Sequence, residues 1–596
     1  MKNIKNIHTF HIPVMGIGFT IDTPVKVAQY GISSVISLVD DMLFEKMREY
    51  YCKQLNISFK PITNINNDYR VKRITSYLNL IDKIVKDKFE EIKNSILEKS
   101  SELEKYMDML PDFSVLKKEF EQIVQNNIYI KDIRNWIQNN LLVGSIDVNI
   151  MTKIDKENYN NGEKLSVEYN DAHAALCGFA KSNLESSIIF SAGMNQRLYS
   201  YIENFDDFYP DENGQLKKKI TLKVSDYRSA LIQGKFLAKK GLWISEFRIE
   251  SGLNCGGHAF ATNGCLMGPI LEEFKNTRDI LISTIHEIYV QALKDKNRTY
   301  PKEPLDVKIT AQGGISTAEE HQFLIDYYQL DSIGWGTPFL LVPEVTNVDE
   351  NSIKLLSKAG EDDLYLSNIS PLSVPFNSLR NNTKDIEKTE RIKKEIPGSP
   401  CPKHYLVSNK EFTDKEVCLA SRQYQKLKIK ELDTKDISPE EYKKQYDKIV
   451  DKSCLCVGLG TSSLIKKSLD TKIEGKGVSI CPGPNMAYFS ETVSLKEMTD
   501  HIYGRKNIIK EKYLPNMFIK ELSIYIDYLK KKIDETQKPI SKKEINFFNT
   551  FRKNLISGIK YYKNLFSNDM IKIHNIKNGA IKKLELFENE LNTIKI

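Results

Sequence analysis

The sequence is predicted to form an α/β protein whose core is a (β/α)8 barrel. Two observations support this: eight short β-like runs, most bounded by Gly, Pro or Asn, and helical patterns between most of them. Strands alternating with helices form right-handed βαβ units and a parallel sheet. With eight such strands, closure into a TIM barrel is the economical arrangement. The runs are Ile12–Gly16, Ser34–Leu38, Ser145–Ile150, Ser187–Ser191, Ile220–Val224, Leu242–Ile249, Val307–Gln312 and Asp331–Gly334. A short helix beginning at Pro24 joins the first two, and Asp226–Lys240 and Glu272–Leu293 carry helical patterns between later ones.

The barrel takes residues 1–40 and 141–376. Residues 41–140 form an inserted helical bundle, in which Ile74, Tyr77, Leu78, Ile81, Ile84, Val85, Phe89 and Ile92 recur at helical spacing as a core stripe. Asn377–Ser399 is polar and charged and reads as a linker. A cysteine-bearing C-terminal module follows at 400–490, and 491–596 is a helical basic tail. In the tail Phe518, Leu522, Tyr525, Ile526, Leu529 and Ile533 share one face, and Ser541–Glu544 forms a capping box after Pro539.

The 596 residues exceed a single core, and 41% hydrophobic with 28% charged content is ordinary for a soluble protein. No apolar run reaches bilayer length, and Met1–Phe10 lacks the apolar core of a secretory signal. A cytoplasmic protein without a membrane partner is expected. The net charge of +7 belongs to the tail: residues 501–596 hold 20 Lys and Arg against 10 Asp and Glu. A solvated lysine-rich surface explains this better than a nucleic-acid footprint.

Two glycine motifs follow the last two strands. Gln312-Gly313-Gly314 leads into a helix, and Gly334-Trp335-Gly336-Thr337 ends the eighth run. A phosphate needs several backbone N–H donors at close range, which glycine permits, and the next helix adds its positive N-terminal end. TIM barrels often build phosphate sites from these two loops. After the sixth run, Cys255-Gly256-Gly257-His258 lies on the catalytic face. The glycines would let a flat ring approach, and His258 would serve as acid or base, with Cys255 as a second proton-transfer candidate.

With these residues in view, the barrel resembles the nitronate monooxygenase (2-nitropropane dioxygenase) family, which includes flavin-dependent enoyl-acyl-carrier-protein reductases. The resemblance lies in Pro13-Val-Met15-Gly16-Ile17-Gly18 with Thr23-Pro24, in Val148-Asn149-Ile-Met151, in Glu250 through His258, and in the two phosphate motifs. It covers about 11–40 and 144–345, a little over a third of the chain. It implies FMN, a small-molecule or acyl-thioester substrate over the exposed face, His258 as the catalytic histidine, and NAD(P)H or an acidic carbon substrate as electron donor. On this resemblance Met15, Gly16, Ile17, Asn149, Gly256, Gly257, Gln312, Gly313, Gly314, Gly334, Trp335, Gly336 and Thr337 bind the cofactor. Ala259-Phe260 after the histidine departs from the family's Arg-Gly or Pro-Gly. The motifs are also similar to those of the FMN domain of glutamate synthase, which carries an iron–sulfur cluster.

Five of the nine cysteines lie between 401 and 481. Clustered thiols in a cytoplasmic chain suggest a metal before disulfides, and four thiolates suffice for an iron–sulfur cluster. Cys401, Cys418, Cys454 and Cys481 are the expected ligands, with Cys456 a substitute. Packing cysteines are the competing reading. Two other functions compete with the oxidoreductase: a dihydrouridine-synthase-like RNA reductase, against which stands the lack of an Asn-x-Gly-Cys-Pro loop, and a flavin-fold scaffold without catalysis. His321, after the phosphate loop, reads as a surface residue.

Overall fold

The computed structural model describes residues 7–94, 101–125, 130–191, 193–509, 514–536, 539–567 and 579–596. The lysine-bearing start, parts of the predicted insertion (95–100 and 126–129) and parts of the tail (510–513, 537–538 and 568–578) lie outside these. Eight parallel strands close into a barrel: β1 Phe10–Ile12, β2 Ser33–Ser37, β3 Ile146–Met151, β4 Ser187–Ser191, β5 Lys219–Val224, β6 Ile244–Glu250, β7 Lys308–Gln312 and β8 Ser332–Gly334. Each pairs with its neighbours in sequence, and β8 closes on β1 with Ile333 opposite Phe10.

The first strand is earlier and shorter than predicted. Pro13 has no N–H to extend the ladder, and Gly16 takes a left-handed φ of 55°. Pro13–Gly18 is therefore a loop over the barrel mouth. The strands alternate, apart from a register shift between β5 and β6 at Ile220 and Thr221. On β5, β6 and β7 the outward Ile220, Leu222, Phe247, Ile249, Ile309 and Ala311 are buried beneath helices. The alternate residues, including Lys223, Glu250, Gln312, Arg248 and Thr310, line cavities inside the barrel.

The predicted stripe of the insertion is buried throughout on the helix Tyr69–Asn94. That helix packs against Asp171–Ala180, the helix after β3, so closely that a side chain at Gly178 would come within 2.7 Å of Ile74. Arg70 anchors it through Asp41 at 2.5 Å and the Leu38, Val39 and Asp171 carbonyls. The insertion thus merges into the outer helical layer.

The expected linker is ordered structure. Phe376–Leu379 (β10) pairs with Leu364–Ser367 (β9), and Thr383–Lys393 is helical. Asn377 is buried despite its polarity because its side-chain amide donates to the Leu253 and Cys255 carbonyls. The module after it docks through the fully buried Lys403, which pairs with Asp40 at 2.6 Å and Glu474 at 3.1 Å. The tail helix Met517–Glu535 lies over the loops after β6 and β7, with Phe518, Leu522, Tyr525, Ile526 and Leu529 buried. Among the described residues no helix is long and apolar enough to cross a membrane.

Candidate active site

A cavity of about 410 Å³ opens at the C-terminal end of the strands, where barrel enzymes carry their chemistry. Its walls include Met15, Gly16, Ile17, Asn149, Cys255, Gly256, Gly257, His258, Gln312, Gly313, Gly314, Gly334, Gly336 and Thr337. Trp335 is the exception among the predicted residues. Its indole is buried behind the wall, where Nε1 donates to His321 Nδ1 at 3.1 Å. His321 is accordingly not a surface residue: it is 2% exposed and also bonds Thr9 Oγ1 at 2.9 Å.

At the two glycine motifs, the backbone N–H groups of Gly313, Gly314, Ile315 and Gly336 engage no hydrogen-bond acceptor among the described residues. Gly313 and Gly314 have φ of 117° and 80°, a left-handed turn that sets successive N–H groups in one concavity. A Cβ at Gly313 would come within 2.9 Å of the Asn254 carbonyl and Ser251, so the loop tolerates only glycine. The helix that follows, Ala318–Tyr328, does not supply the expected free N-terminus. Glu320 folds back to accept from the N–H groups of Ser316 at 2.8 Å and Thr317 at 3.2 Å, and its other oxygen takes the N–H of Met517 at 2.6 Å. The N–H groups at that helix end are already engaged, and the free donors of this region come from the turn alone.

Deeper in the cavity the floor is polar. Glu250 bonds Lys223 at 2.7 Å and the Gln312 side-chain amide at 2.5 Å. The opposite amide oxygen of Gln312 and that of Asn149 are buried with no partner. Such orphaned acceptors are costly unless a ligand donates to them. Lys223 escaped notice in the sequence, although its place at the C-terminal end of β5 follows from the alternation Lys219, Thr221, Lys223.

His258 sits on the wall in a bridge to Phe376 of β10, the rings 5.0 Å apart. Its Nε2 lies 2.7 Å from Ser370 Oγ, and Nδ1 has no hydrogen-bond partner among the described residues. Burial holds the imidazole down at about 4, so it is neutral at physiological pH. Cys255 is buried, and burial pushes its thiol well above the usual range, with Glu250 adding to the rise. It remains a thiol.

A segment assigned to the cysteine module completes the wall. Cys481 and Asn485 line the cavity; Gly257 N–H donates to the Cys481 carbonyl at 3.2 Å, Gly483 N–H to Thr337 Oγ1 at 2.9 Å, and the Asn485 amide to the Ile315 carbonyl at 2.9 Å. The loop Cys481–Asn485 therefore clasps both glycine motifs. Its Pro482-Gly483-Pro484 turn was the available signal. This removes Cys481 from the predicted ligand set. Cys401 and Cys418 share a small buried cluster with Val407 and Ala420, and Cys401 Sγ is 3.9 Å from His404 Nδ1. Cys454 and Cys456 pack in the main core and lie beside the Cys401 and Cys418 pair, close enough for the thiols to perturb one another. Among the described residues no group of three or more His, Cys, Asp or Glu is placed to hold a metal ion. The structure brings Cys401, Cys418 and Cys454 near Cys456, the named substitute, without assembling them as a metal site, and leaves Cys481 apart at the cavity wall.

No protein-family model matches the chain, and no curated protein matches it. Among solved structures it is similar to the enoyl reductase domain of MlnA from the macrolactin biosynthesis cluster of Bacillus amyloliquefaciens, at 12% identity over 71% of this chain and 89% of that one, with a TM-score of 0.32. It is also similar to nitroalkane oxidase from Streptomyces ansochromogenes, at 10% identity over 65% and 85%, with a TM-score of 0.29.

Proposed function

We propose that the chain is an FMN-dependent oxidoreductase acting on a small or acyl carbon substrate, of nitronate monooxygenase or enoyl reductase type. The observation that supports this most is the set of uncommitted N–H groups at Gly313, Gly314, Ile315 and Gly336, which opens on the same cavity as His258. A phosphate monoester fits such a concavity. The orphaned amide oxygens of Asn149 and Gln312 fit the N–H edge of a flavin ring, and Met15, Gly16 and Ile17 would flank it. Bound there, FMN supplies reversible two-electron chemistry.

The chain's own groups handle protons and access. Ser370 fixes the His258 ring, which leaves Nδ1 to exchange a proton with a substrate carbon or its neighbour. Because the ring is neutral, its first act is to accept a proton or donate a hydrogen bond. Lys223, held by Glu250, brings a paired ammonium to the cavity floor. Phe260, 39% exposed, lends an apolar edge to the cavity where the carbon substrate would enter.

The test is anaerobic mixing of the flavin-loaded protein with NADH, NADPH or a propyl nitronate, followed by an enoyl thioester or oxygen. Bleaching of the flavin by one donor and recovery with one acceptor supports the reading and separates the two types. A flavin that none of these donors reduces contradicts it.

A further inference from the structure

Beneath the active-site floor, the inward faces of β3, β6 and β7 carry a second polar layer. It lines a separate cavity of about 450 Å³ that opens at the opposite, N-terminal end of the strands. Barrel interiors are ordinarily filled by branched apolar side chains. Here Asp147, Glu246, Arg248, His11 and Thr310 are each no more than 7% exposed.

These groups are not equally satisfied. Glu246 accepts from Arg248 Nε at 2.8 Å, Thr310 Oγ1 at 2.5 Å and Thr221 Oγ1 at 3.3 Å. Arg248 has no other hydrogen bond among the described residues, so both Nη groups remain uncommitted. Asp147 spends Oδ1 on Ser145 Oγ at 2.6 Å and the Ser187 N–H at 2.9 Å, which leaves Oδ2 uncommitted. Ser186 Oγ, on the same wall and buried, has no partner. Arg248 and Asp147 line one cavity without forming an ion pair. Arg248 has its counter-ion in Glu246, so what the cavity offers a ligand is a free guanidinium edge of donors together with a free carboxyl oxygen on Asp147. The rim has both signs, Lys219 and Lys308 with Glu185 and Asp306, and so favours neither net charge.

We propose that this cavity binds a small zwitterion with the charge pattern of a free α-amino acid. Its carboxylate accepts from the Arg248 Nη groups, and its ammonium donates to Asp147 Oδ2 and Ser186 Oγ. Such a ligand completes both protein groups at once, whereas a simple anion leaves Asp147 Oδ2 unused and a simple cation leaves the Arg248 Nη donors unused.

The test uses the full chain in its flavin-loaded form. Melting temperature is screened against the standard amino acids, and the best is titrated calorimetrically beside acetate and methylammonium. At least one amino acid is expected to bind ten-fold or more tighter than either half-ligand, with the visible spectrum unchanged. Asp147→Asn keeps the acceptor for Ser145 and Ser187 but should lower amino-acid affinity to that of acetate. Arg248→Lys keeps a cation beside Glu246 but removes the fork, and should weaken binding about ten-fold. The proposal is overturned if no amino acid shifts melting, if the half-ligands bind equally well, or if both folded variants bind as the parent does.

Discussion

Gly314→Ala puts the proposed phosphate concavity under the most direct strain. The backbone there has φ of 80°, where a side chain costs about 1–2 kcal/mol. A Cβ would also overlap the Asn254 side-chain amide. Asn254 cannot simply swing away, because it donates to the Met517 carbonyl at 3.3 Å and its backbone N–H is held by Ser251 Oγ at 3.2 Å. Giving up one such bond costs about 1 kcal/mol. Together these amount to roughly 2–3 kcal/mol against the binding-competent loop, or about 30- to 150-fold in FMN affinity. Quenching of flavin fluorescence on titration measures it. Gly162→Ala is the control: its φ is 88°, but nothing lies within 4 Å of its Cβ position and it is remote from the cavity. It should lose a little stability and no FMN affinity. A Gly314→Ala protein that binds FMN within three-fold of the parent would refute the concavity.

Three further outcomes follow from named contacts. His258→Ala should slow substrate-linked flavin reduction about 100- to 10,000-fold in stopped flow with FMN retained, and Ser370→Ala should slow it less, through loss of ring orientation. His321→Ala should lower urea-measured stability by about 2–4 kcal/mol, since it leaves the buried Trp335 Nε1–H without an acceptor and opens a void. Burial raises the Glu521 carboxyl to about 7 from its usual 4.5. The folded state therefore keeps a proton that the unfolded chain releases. That stabilisation is complete below pH 4.5 and is lost as pH rises through 7. In Glu521→Gln the difference from the parent should narrow this decline by about 3 kcal/mol between those limits.

Much of the barrel was legible because its strands are short, mostly alternate and mostly end at Gly, Pro or Asn. Ser187–Ser191 needed no adjustment, and the glycine turns after β7 and β8 stand at the cavity where the sequence put them. What was hidden depends on contacts distant in sequence. The helix Met267–Asp295 begins earlier than its sequence suggests, because Leu266 cannot cap it; Glu521, 254 residues away, accepts the Met267 N–H at 2.9 Å. Glu320 takes the Ser316 and Thr317 N–H groups and also the distant Met517 N–H, and so occupies the helix end that the phosphate was expected to use. His321 reads as a surface residue on the helix after the glycine turn, but Thr9 and Trp335 bury it. Cys481 was grouped with other cysteines by sequence proximity, while its Pro-Gly-Pro turn carried it to the cavity wall.

The central claim is that the Gly313–Ile315 and Gly336 donors hold the phosphate of a flavin. Its most direct measurement is the flavin content of the purified chain after incubation with FMN and gel filtration, read by absorbance of the denatured supernatant. The account expects about one FMN per chain, with riboflavin, which lacks the phosphate, retained at least 100-fold less tightly. A chain that retains neither, or retains riboflavin as well as FMN, would contradict it.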